Sequence, residues 1–81
     1  MVNFDHYKEA EELAEELRKE KMESFADGII KAMEEGSTGT EIFMALRWNV
    51  ENLLKTKELS YSKNIKDKAD RLFRELDKAL Q

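Results

Sequence analysis

Apolar residues recur every three or four positions in four separate runs along this chain, and no proline interrupts any of them. That spacing gathers side chains on one face of an α-helix, where neighbouring turns stack residues three and four apart. Strand-like alternation is not persuasive in any stretch, and no long internal repeat is visible. Leu, Ala, Glu and Lys dominate, and all four are strong helix formers. A charged fraction of 40% raises disorder as a rival, but 41% hydrophobic residues at helical spacing can build a core. The expected fold is therefore all-α: a small antiparallel bundle of three or four helices with short loops, residues 1–81 forming a single helical domain.

The first run predicts a helix over about 4–20, capped by Asn3 or Asp5, with Phe4, Tyr7, Ala10, Leu13, Ala14 and Leu17 on one face. Glu9, Glu11, Glu12, Glu15 and Glu16 face water and suit the positive end of the helix. The apolar pattern lapses over Arg18–Lys21 and resumes at Met22, Phe25, Ala26, Ile29, Ile30 and Met33, roughly 120° around the axis. One straight helix would face two directions, so a bend or break is expected near 20–24 with a second helix over 22–35, the alternative being one long helix that packs on different neighbours along its length. Ser24 and Gly28 are the residues that could soften such a joint.

Gly36-Ser37-Thr38-Gly39-Thr40 writes a stop, a turn and a start in one stretch. Gly36 suits the left-handed position just past a helix, and Thr38 with Glu41 three residues on forms a capping box. A phosphate cradle is the sharper reading of two glycines before a helix, but the lysine, the preceding strand and the spacing are missing. The third helix, over 40–55, has Ile42, Phe43, Leu46, Val50, Leu53 and Leu54 on one broad face and Met44 with Trp48 on the opposite side. Polar residues and Leu59 connect Lys55 to Tyr61. Ser60 or Ser62 then caps a last helix over 62–79, with Ile65, Ala69, Leu72, Phe73, Leu76, Ala79 and Leu80 as its stripe. Leu46, Leu53, Leu72 and Leu76 sit at the centres of their stripes and should share one core.

Chemistry is hard to place on this chain. His6 is the only histidine and Cys is absent, so neither a catalytic triad nor paired Glu-x-x-His metal ligands can be assembled. Acids follow surface positions, and no Asp/Asn series with a closing Glu marks a calcium loop. No catalytic residue, metal, cofactor or small-molecule substrate is expected, and the chain does not read as an enzyme. Net charge is −4, split into −6 over residues 1–36 (11 acids, 5 bases) and +2 over residues 37–81 (7 acids, 9 bases). An acidic chain without a basic patch is a poor nucleic-acid binder, because that affinity comes mainly from neutralising phosphates. No apolar run approaches the ~20 residues of a membrane span. The residues before Tyr7 lack the basic segment and apolar run of a secretion signal, so a cytoplasmic setting is expected.

What remains is contact with other proteins. A domain of this size buries only roughly 60% of the surface of its unfolded chain, so it gains from oligomerisation. Met44 and Trp48, flanked by Arg47, are the candidate interface, since Trp, Met and Arg are enriched at contact surfaces. In a three-layer bundle the same two side chains would be core. Asn49 and Asn52 lie near the edge of the main face of this helix. The expected function is a small acidic helical protein–protein interaction module that self-associates, a homodimer for instance. The alternative is an immunity- or antitoxin-type inhibitor whose acidic half meets a basic toxin or nuclease.

Overall fold

A computed structural model of the chain describes residues 4–56 and 62–81. Its four helices are α1 (His6–Lys19), α2 (Glu23–Glu35), α3 (Gly39–Lys55) and α4 (Lys63–Leu80), with no strand among the described residues. The expectations for Asn3, Leu59 and Ser60 lie outside the described residues. Three of the four helices begin on a side-chain cap. Asp5 accepts from the Lys8 amide at 3.1 Å, Thr38 from the Glu41 amide at 3.1 Å and Ser62 from the Ile65 amide at 3.3 Å. Each satisfies one of the amides that a first turn leaves without a helical partner. Glu41 closes its box one residue further out than a standard capping box, accepting from the Ser37 amide at 3.1 Å.

The expected interruption after α1 is a full break. Lys21 donates to the Arg18 carbonyl at 3.0 Å and Met22 to the Leu17 carbonyl at 2.8 Å, the paired bonds of a Schellman stop. Lys21 occupies the left-handed position with φ 62°. Met22, buried like Leu17, supplies the apolar contact that accompanies this motif. Ser24 and Gly28 lie inside α2 and soften nothing.

The left-handed role expected of Gly36 is overturned. Its φ and ψ are −69° and 138°, an extended conformation open to any residue. Glycine is needed there for space: a Cβ would collide with Ile42 Cγ1 and lie 3.2 Å from the Ile42 backbone. The turn doubles back so tightly that the first turn of α3 sits against it.

Every helix packs on its neighbours in sequence, and α4 closes against α1. The cross-contacts make each neighbouring pair antiparallel. Arg18 near the end of α1 meets Asp27 early in α2, at 3.1 Å. The side chain of Asn49 in α3 lies against Gly28 in α2. Glu20, just past α1, accepts from both the Ser62 hydroxyl at 2.6 Å and the Ser62 amide at 3.0 Å at the head of α4, while His6 Nε2 at the head of α1 lies 3.3 Å from the Glu75 carbonyl near its end. The core is hydrophobic throughout, with Leu13 and Leu17, Ile29, Leu46, Val50 and Leu53, and Ile65, Leu72 and Leu76 fully buried. Leu46, Leu53, Leu72 and Leu76 do share it. Ala79, expected on the α4 stripe, is exposed one residue before the helix ends, where Leu80 is still half-buried.

Candidate functional site

The bundle is 19 Å across in its thinnest direction. Helix axes pack about 8–10 Å apart, so that thickness holds two layers. In two layers every helix keeps one outward face, and among the described residues no third layer covers the back of α3. Met44 is 59% and Trp48 65% exposed, and with Tyr7 at 41% they are the large hydrophobic side chains exposed among the described residues. The three-layer reading, in which Met44 and Trp48 are core, therefore fails.

Local sequence explains the geometry. Ile42, Leu46, Val50 and Leu53 turn α3 toward the core, the outer two of these half-buried or buried and the middle pair fully so. Glu41, Met44, Trp48, Glu51 and Lys55 follow one another at steps of three and four on the opposite side. The outward strip is thus an acid, two large apolar groups, an acid and a base. Lys55 Nζ lies 2.7 Å from Glu51 Oε1. The hydrogen bond from Lys55, and then its charge, hold the Glu51 carboxyl below its ordinary pKa against opposing desolvation, with Arg47 adding the smallest contribution.

Arg47 is brought beside this strip but not into it. Its guanidinium carbon stands 5.3 Å from the Phe73 ring centroid and its Nε 3.1 Å from Asp77 Oδ1, so α4 holds it half-buried on one flank. On the other flank Asn49 donates to the Ala45 carbonyl at 2.8 Å, a bond within its own helix. The Thr56 hydroxyl likewise donates to the Asn52 carbonyl at 2.8 Å. The Asn49 side chain lies at the seam with α2, against Gly28.

His6 stands between two rings, 5.0 Å from Phe4 and 4.5 Å from Phe43. Tyr7 packs 5.7 Å from Phe43, and Arg71 lies 5.1 Å over Phe4. Sequence reasoning missed this cluster, because α1 and α3 meet there across the bundle. The imidazole packs between these rings, with its Nε2 3.3 Å from the Glu75 carbonyl. Among the described residues no group of three or more His, Asp or Glu could hold a metal. No helix of the described residues is long and apolar enough to cross a membrane. A groove of about 320 Å³ runs between α1 and α2, with Ala14, Ile30 and Met33 on its floor and Glu11, Glu15 and Glu34 among its rim residues.

No known protein family, curated protein or solved structure matches the chain.

Proposed function

We propose that this chain is a small acidic helical interaction module that associates with itself through the outer face of α3. The observation that carries this reading is the exposure of Met44 and Trp48 side by side on a helix whose opposite face is fully used by the core. An exposed Met costs little alone, but an indole with a thioether beside it on a flat helix face is the composition of an interface centre. The surrounding charges are of both signs: Glu41 and Glu51 against Arg47 and Lys55. A mixed rim of this kind is self-complementary, and a second copy satisfies it without a foreign partner of opposite charge.

Light scattering across a wide concentration range tests the reading. The wild-type chain should self-associate, and Trp48→Ala should weaken that association by about 2 kcal/mol or more, roughly thirtyfold in dissociation constant. The variant should keep the helical spectrum of the wild type, since its side chain is not part of the core. A wild type that is monomeric throughout, or a variant that associates as the wild type does, would overturn it.

The groove between α1 and α2 supports a second reading, an inhibitor of a basic protein. Three glutamates and Arg18 rim an apolar floor there, and the −6 half of the chain supplies the field. A strictly monomeric wild type would move the weight to this surface.

A further inference from the structure

A homodimer built on the outer face of α3 must dispose of the charges that share it. In a closed dimer the interface is isologous, so residue i of one copy meets j of the other and j meets i. Were the two α3 helices parallel, each residue would face its own copy, setting Glu41 against Glu41 and Lys55 against Lys55. Antiparallel helices avoid this, and their register is then selected by charge. With the two-fold axis at Trp48, residues equally far before and after it are opposed, and Glu41 faces Lys55 of the second copy at both ends. Seven residues of helix put each charge about 10 Å from the axis, flanking the paired Trp48 side chains, while Met44 faces Asn52 of the second copy.

The neighbouring registers are worse. Moving the axis so that Met44 faces Trp48 of the second copy sets Glu41 against Glu51 twice. Moving it the other way, so that Trp48 faces Glu51, lays a carboxylate on the indole and Lys55 on Met44. Existing bonds do not block the Trp48-centred pairing. Glu41 spends one carboxylate oxygen on the Ser37 amide and Lys55 one ammonium hydrogen on Glu51. A carboxylate has about four acceptor sites and an ammonium three donors.

We infer that the second copy docks antiparallel on α3, with Trp48 on the two-fold axis and Glu41 paired with Lys55 of the other copy. The register rests on the self-association proposed above, and charge exchange tests it separately. Glu41→Lys alone and Lys55→Glu alone each set like charges together at both ends of the dimer, and each should associate about tenfold more weakly than wild type. An equimolar mixture of the two variants should form a heterodimer, because every facing pair is then opposite. Glu41→Lys combined with Lys55→Glu in one chain should restore homodimerisation. Sedimentation equilibrium reads all four, with thermal melts confirming that each variant folds. A wild type that dimerises while the mixture associates no better than its components would overturn the register and leave self-association standing. A wild type that never dimerises would overturn both.

Discussion

Lys21 holds φ 62°, a conformation in which a side chain crowds its own backbone at a cost of about 1–2 kcal/mol. It is tolerated because the stop it completes satisfies the last carbonyls of α1 and seats Met22 against the core. Lys21→Gly should remove that cost, offset in part by the greater freedom of glycine in the unfolded chain. The expected net gain is roughly 0.5–1 kcal/mol, a rise of a few degrees in melting temperature for a domain of this size. A lower melting temperature would show that the lysine side chain contributes more than its backbone costs. The same residue explains why the end of α1 was only half legible in the sequence. The rotation of the apolar stripe announced that the helix must turn, but a lysine stood where glycine would have marked the place. Gly36 misleads in the opposite direction, since it is glycine for want of room beside Ile42 and not for its φ.

At the scale of elements, signals that act over three or four residues were readable and those that act across the bundle were not. The stripes placed all four helices, and the Thr38–Glu41 pair marked the start of α3 because a cap and its amide are close in sequence. Thr38→Ala should therefore destabilise the fold by roughly 1 kcal/mol, measured by urea unfolding. Gly36→Val should cost more, through collision with Ile42. If Thr38→Ala left stability unchanged, the cap would be redundant with the Ser37–Glu41 bond. By contrast, Ser62 reaches Glu20 over a separation of 42 residues. His6 packs between Phe4 and Phe43 only because α1 and α3 converge at one end. Neither pairing leaves a local pattern. The outward placement of Met44 and Trp48 was legible from helical geometry, but whether another helix covered them depended on the number of layers. Arg47 was legible as their neighbour, though not its engagement with Phe73 and Asp77 of α4.

For the whole molecule, the balance of core size and outer face decides how stability should behave. A chain of this length is expected to hold on the order of 5 kcal/mol, and its interior is built from short stripes that join in one cluster, with Leu46, Leu53, Leu72 and Leu76 among its members. Leu72→Ala removes a side chain only 1% exposed and should cost about 2–5 kcal/mol, lowering the melting temperature by at least ~10 °C. Such a variant sits near its folding threshold, where any linked equilibrium becomes visible. If the α3 face binds a second copy, association adds stability by mass action, about 2.7 kcal/mol when the free chain exceeds its dissociation constant a hundredfold. The melting temperature of Leu72→Ala should then climb with protein concentration. Adding Trp48→Ala to it should shift the climb to higher protein concentration while leaving the dilute-solution melting temperature unchanged, because the indole lies on the far side of α3 from the core. A concentration-independent melt in Leu72→Ala would mean that the outer face of α3 contributes nothing to the stability of this fold. An added loss from Trp48→Ala in dilute solution would mean that the indole packs within its own chain.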